Sequence, residues 1–241
     1  MPLMMGVMEH PIDLDQLSEA GQRLTRTVDG LHADDWGADS LLPGWTRAHV
    51  VAHLALNGEA LGSVLHGAID HAQVPMYASQ ESRDTDIEEL SQGDPVVLRD
   101  RLLGSLTTFV DAVRSVPEEA WDSGFERTPG GPTYPLDAVP LMRVREIEIH
   151  HADLGLDYTA DDWPPAFAEV VVGSMVGRLE PTEAFRVTPL DSQRTWDVGP
   201  AGDDAPVVTG PVAHLAWWLT GRTPSEQVSS SRGDLPPIGA W

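Results

Sequence analysis

Four stretches of this 241-residue chain carry their apolar side chains at helical spacing, and that recurrence restricts the fold more than any other feature. From about Asp13 to Leu31, the residues Leu14, Leu17, Leu24, Val28 and Leu31 form one stripe. A second stretch follows Pro43-Gly44-Trp45, with Thr46 as N-cap, and runs to about Ile69. Its stripe is Val50, Leu54, Leu61 and Val64, interrupted by Asn57. The third begins at Asp94-Pro95, a cap followed by a proline whose missing N–H costs nothing at the first helical position. Leu98, Leu102, Leu106, Phe109 and Val113 carry its apolar face. The fourth runs from about Asp137 to Asp153 with Leu141, Val144, Ile147, His151 and Leu154 on one side. Four such faces predict a helix bundle. The links at residues 70–93 and around TPGGPTYP read as long loops, a length often tied to function.

The character changes after Asp161-Asp162-Trp163-Pro164-Pro165. Residues 166–179 read as a helix. Short strands follow at Phe185 to Thr188, Arg194 to Val198 and Pro206 to Thr209, then a short helix over 211–220. The expectation is therefore an α+β chain: a four-helix bundle over residues 1–162 and a smaller α/β domain over residues 163–241. The final stretch, SSSRGDLPPIGAW, reads as irregular, and its RGD triplet as incidental.

Composition narrows the chemistry. There are 38 acidic residues against 15 basic ones, a formal net charge of -23. Such a field repels nucleic acid and anionic membrane, so neither is expected as a partner. Every basic residue is arginine, which excludes Schiff-base chemistry on lysine. An anionic substrate must then rely on local arginine forks. The chain has no cysteine, hence no disulfide and no thiol nucleophile, in keeping with a cytoplasmic enzyme. No stretch approaches the ~20 apolar residues of a membrane span, and the start MPLMMGVMEHP lacks the basic and apolar regions of a cleaved leader.

Two polar pairs sit beside the apolar faces. On the second helix His49, His53 and Asn57 border Val50 and Leu54; on the fourth Arg143, Glu146, His150 and Asp153 lie in one arc. Residues four apart project from the same helix face. Two such pairs on packed helices offer imidazole and carboxylate donors to one metal ion, and two His with one Glu leave a fourth zinc position open. Asp153 or Asn57 could orient a ligand imidazole. Spacing alone leaves the ligand set open: a Glu/His pair is equally an ion pair, a His on an apolar face is equally a hydrogen-bonded core residue, and the HExxH signature is absent.

LLPGWTRAHVVAHLALN, and later MRVREIEIHHADLG, resemble the mycothiol-dependent maleylpyruvate isomerase family. VPMYASQESRD in the long link and SSSRGDLPPIGAW at the end extend that resemblance over nearly the whole chain. It implies a DinB-like four-helix bundle carrying zinc, followed by the small α/β domain. By this resemblance the zinc ligands fall on His53, Glu146 and His150. His49 is left to packing or capping, and His151 to the core or an interhelical hydrogen bond. Arg222, in LTGRTP, matches the catalytic and substrate-binding arginine of the C-terminal domain. Arg83, in SQESRD, matches an arginine able to hold a substrate carboxylate.

The implied activity is the cis–trans isomerisation of maleylpyruvate, a small dicarboxylate, to fumarylpyruvate in gentisate catabolism. A reversibly added thiolate makes the double bond single, rotation follows, and elimination restores it. Because this chain lacks a thiol, the nucleophile must come from outside as mycothiol, held as thiolate by zinc. A mycothiol S-transferase and a non-enzymatic metal-binding regulator are the alternatives on the same bundle.

Overall fold

The computed structural model describes residues 14–181 and 183–239. The start MPLMMGVMEHP, Asp13 and the last two residues of the C-terminal stretch lie outside the described residues. The chain divides into two compact units, Met1–Leu156 and Asp157–Trp241.

The first unit is built on four long helices. α1 (Leu14–Asp29) buries Leu17, Leu24 and Val28. It stops two residues short of the expected end because the Gly30 N–H turns back to the Thr27 carbonyl, at 3.1 Å. α2 spans Arg47–Ile69. Between it and the next long helix lies α3 (Gln80–Ser91), in a segment read from sequence as a loop. The sequence hides this helix because Ile87 is its one buried residue, so no apolar stripe marks it. Its signal is the cap instead: Ser79 Oγ accepts from the Ser82 N–H at 3.0 Å, and Ser82 Oγ accepts from the Ser79 N–H at 3.1 Å.

α4 (Pro95–Ser115) starts as expected, with Asp94 Oδ1 accepting from the Val96 N–H at 2.8 Å. α5 (Val139–Asp153) follows a 3-10 turn at Leu136–Ala138. α1 packs on α4 and α5, and α2 packs on the same two helices, so the order around the bundle is α1–α4–α2–α5. The second long link also holds structure. β1 (Gly124–Glu126) and β2 (Thr133–Pro135) pair antiparallel, with Phe125 opposite Tyr134. The extended residues Met76 and Tyr77 donate their N–H groups to the carbonyls of Glu126 and Arg127, each at 2.9 Å. This ties the chain before α3 to the hairpin.

The second unit contains α6 (Pro165–Val176), α7 (Val212–Leu219) and a four-stranded sheet. Its strands are β3 (Phe185–Pro189), β4 (Trp196–Val198), β5 (Val207–Gly210) and β6 (Ser229–Ser230), in the order β4-β3-β5-β6. β3 and β5 run parallel and the other pairs antiparallel. β6 falls in the stretch read as irregular; two residues are too few to show a period. Phe185, Val187, Val198 and Val208 are fully buried. The sequence boundary at Pro164-Pro165 lies several residues beyond the division between units, and side-chain contacts explain the difference. His214 Nε2 on α7 pairs with Asp161 Oδ1 at 2.6 Å, and Trp163 meets Phe167 and Trp217 edge-on at 5.4 and 5.9 Å. Residues 160–163 therefore pack with α6 and α7. Among the described residues, no helix is long and apolar enough to cross a membrane.

Candidate metal centre

α2 and α5 pack against each other, and their inward polar positions meet. The GWTR turn sets where α2 begins. Thr46 caps it, and His49 closes the capping box from the third helical position, its Nδ1 lying 3.2 Å from the Thr46 N–H. His49 Nε2 faces Glu88 of α3 at 3.1 Å. One turn on, His53 points into the bundle and is 3% exposed. Trp45 stacks on His49 at 6.1 Å and meets His53 edge-on at 5.7 Å, forming one wall of the site.

On α5, Glu146 and His150 stand one turn apart on the face toward α2. Both imidazoles converge on one carboxylate oxygen: His53 Nε2 lies 2.8 Å and His150 Nε2 3.4 Å from Glu146 Oε2. One donor atom from each residue lies within 4.8 Å of the others. Among the described residues this is the one such group of three. A zinc ion with bonds of about 2.0–2.1 Å sets tetrahedral ligand atoms roughly 3.3 Å apart. The observed separations bracket that edge, so the donor set fits a small divalent cation.

Proton placement supports the same fit. Asp153 is fully buried, and its Oδ2 lies 2.8 Å from His150 Nδ1. A carboxylate there requires Nδ1 to carry the proton, which leaves the Nε2 lone pair facing a second carboxylate. Two lone pairs repel unless a cation sits between them. Burial disfavours charge on His150, yet Asp153 and Glu146 outweigh it and raise its pKa above the usual value. A proton is thus held where a metal would bind. Burial likewise opposes ionisation of Glu146, but hydrogen bonds from His150 and His53 hold its carboxyl well below the ordinary range. Burial dominates at His53 and pushes it down to about 4, so that imidazole is neutral and able to act as a ligand.

The other candidate residues have partners of their own, and His151 makes the interhelical hydrogen bond expected of it. Asn57 orients no imidazole: its Oδ1 accepts from Arg143 Nη1 at 2.8 Å. Arg143 reaches across from α5 and also donates to the Leu54 carbonyl at 2.8 Å, so the amide oxygen is one of two neutral acceptors for a buried guanidinium. His151 turns to α1, where its Nε2 meets Thr27 Oγ1 at 2.7 Å, away from the triad. Arg83, on α3, comes within 3.3 Å of His53 Nδ1 through Nη2 and pairs with Asp84 at 2.7 Å. Arg222 lies in the second unit just after α7, donating to the Thr220 carbonyl at 2.8 Å with its guanidinium over Trp217 at 5.8 Å. Tyr77 and Arg127 were not singled out in the sequence. The guanidinium carbons of Arg83 and Arg127 lie 5.8 and 5.9 Å from the centre of the Tyr77 ring.

The two helices that carry the triad fall inside a stretch, residues 17–155, that matches the mycothiol maleylpyruvate isomerase N-terminal domain. The chain belongs to the mycothiol-dependent maleylpyruvate isomerase family. Among solved structures, it is similar to the mycothiol-dependent maleylpyruvate isomerase, with 30% identity, a TM-score of 0.85 and 95% of each chain covered. A histidine-to-alanine mutant of that enzyme matches with a TM-score of 0.86 at the same identity and coverage. YfiT from Bacillus subtilis, an unusual four-helix bundle, aligns over 59% of this chain and 81% of its own with a TM-score of 0.50. At 17% identity it shares the four-helix bundle fold alone. No curated protein sequence matches the chain.

Proposed function

We propose that this isomerase-family protein holds zinc at His53, Glu146 and His150 and isomerises maleylpyruvate to fumarylpyruvate with mycothiol. The observation that carries this reading is the convergence of two buried imidazoles and a half-buried carboxylate in a cysteine-free chain of that family. Zinc bound there would supply the Lewis acidity that keeps an external thiol ionised at neutral pH.

The chain's own residues do the rest. Asp153 holds the His150 proton on Nδ1 and so directs Nε2 at the ion. Glu146 contributes negative charge, which balances a divalent cation in a buried setting. Trp45 shields the His53 side from water. Arg222, by its match to the family position, stabilises the enolate oxygen that forms as the double bond becomes single. Arg83 holds a substrate carboxylate. As it stands, Arg83 donates to His53 Nδ1 and so places the imidazole proton on Nε2. A metal at Nε2 requires the opposite tautomer, and a guanidinium cannot accept the Nδ1 proton. An ion held by His53 Nε2 would therefore exclude the Arg83–His53 hydrogen bond, and Arg83 would be available to a substrate carboxylate.

The test is loss of maleylpyruvate absorbance with and without mycothiol, on zinc-loaded and chelated protein. His53→Ala loses both zinc and turnover. Arg222→Ala keeps zinc and loses most turnover. Stoichiometric zinc in His53→Ala contradicts the ligand assignment. Steady consumption of mycothiol in place of its recovery makes the protein an S-transferase.

A further inference from the structure

In a chain with 38 acidic residues, an arginine without a carboxylate partner is informative. Arg127 is exposed just beyond β1, and none of the ion pairs among the described residues involves it. The adjacent acid is committed elsewhere, since Glu126 Oε2 accepts from the Gly130 N–H at 2.7 Å. The position of Arg127 is nevertheless fixed. Its carbonyl receives the Tyr77 N–H at 2.9 Å, and its guanidinium rests over the Tyr77 ring. The other arginine over that ring is Arg83, which also touches His53. Arg83 has a buried Nε with no hydrogen-bond partner. Beside Arg127 lies a cavity of about 400 Å³ lined also by Ser79, Gln80 and Thr128. One aromatic ring therefore spaces two guanidinium groups: one against a metal-triad histidine, the other at an open, polar cavity.

We propose that Arg127 is a second carboxylate anchor of this site, and that Tyr77 is the positioning residue that sets its spacing from Arg83. The ligand class is an extended dicarboxylate with its far carboxylate at Arg127. The inference rests on the reading of the triad as the reaction centre. Mycothiol does not account for the feature, because its sugars present hydroxyls and no carboxylate. An uncompensated cation in an acidic protein matches a dianion.

The test uses the zinc-loaded full chain without thiol, and two unreactive probes. Heptanedioate is a saturated diacid with the same number of carbons as maleylpyruvate; its monoamide lacks one charge. Calorimetry on wild type shows the diacid preferred. Arg127→Gln weakens diacid binding about tenfold, the scale of one charge-assisted hydrogen bond, and brings the diacid and the monoamide within about twofold of each other. In turnover the same variant raises KM by a similar factor with kcat nearly unchanged and zinc content intact. Tyr77→Leu loses the diacid preference although Arg127 is present. Tyr77→Phe, which keeps the ring, retains it. A purely structural role for Tyr77 leaves the preference intact in Tyr77→Leu and overturns its assignment. Equal binding of both probes by wild type, or an unchanged preference in Arg127→Gln, overturns the anchor. Wild type that binds diacids through Arg127 but does not turn over maleylpyruvate leaves the anchor standing and removes the isomerase reading.

Discussion

Helix α5 buries polar side chains on two sides, and the two sides do different things. Toward α1, Glu148 is ion-paired with Arg23, and His151 meets Thr27. Toward α2, Glu146 and His150 meet His53. All are interrupted apolar positions on one helix, and burial alone does not tell them apart. The difference is in what converges. On the α1 side an anion faces a cation and an imidazole faces a hydroxyl, so each group meets one of complementary polarity. On the α2 side two imidazole nitrogens and a carboxylate oxygen point at one spot, and only protons keep their lone pairs from colliding. Complementary pairs hold helices together; a set of lone pairs aimed at one point can hold a cation.

The sharpest way to break this contrast is to truncate the matching carboxylate on each side. Glu146→Ala should abolish stoichiometric zinc and leave a folded bundle. Glu148→Ala should keep zinc while losing stability of about 2–3 kcal/mol, because it leaves Arg23 only the looser contact with Glu19, at 3.8 Å. Metal analysis and denaturant unfolding of the two variants separate the sides. If Glu148→Ala loses zinc at unchanged stability, the division of α5 into a site face and a structural face is wrong. A smaller effect concerns the partner behind the ligand. Asp153→Asn keeps the volume but removes the charge that orients His150, so zinc affinity should fall by roughly 10–100-fold. Competition with a chromophoric chelator measures it, and unchanged affinity would remove Asp153 from the site.

The smallest effect tests the structural face through pH. Burial, helped by Arg23, pushes His151 down to about 3. Unfolded, the same residue titrates near 6.5. Between those values the unfolded chain binds a proton that the folded chain refuses, so stability is lost as pH falls through that window. His151→Gln should therefore lessen the loss of stability between pH 7 and pH 5 by about 2 kcal/mol. Denaturant unfolding of both proteins at the two pH values checks this, and parallel losses would refute it.

Much of this contrast could be read from spacing, and its limits are physical. The expected limits of α2 and the expected start of α4 match the structure because long apolar stripes and the Asp94-Pro95 cap are local signals. The α3 helix carries one buried residue and the hairpin strands are three residues each, so neither has a period to detect. The i, i+4 arithmetic places Glu146 and His150 on one face but cannot show that Asn57 is taken by Arg143, because that contact depends on how far a long side chain reaches between helices. It places His151 on the apolar side, about 100° round the helix from His150, and the packing of α1 there supplies Thr27 as its partner. Tyr77 and Arg127 are fifty residues apart in loops, joined by one backbone hydrogen bond that no pattern in the sequence announces.

In the proposed function the triad leaves one position of a bound zinc ion for an external thiol. Zinc-edge X-ray absorption on the loaded protein, before and after mycothiol is added, tests it directly. The account predicts nitrogen and oxygen neighbours alone at first, because the chain has no cysteine. Addition of mycothiol should bring in one sulfur shell at about 2.3 Å. A zinc spectrum that stays free of sulfur at saturating mycothiol would contradict it.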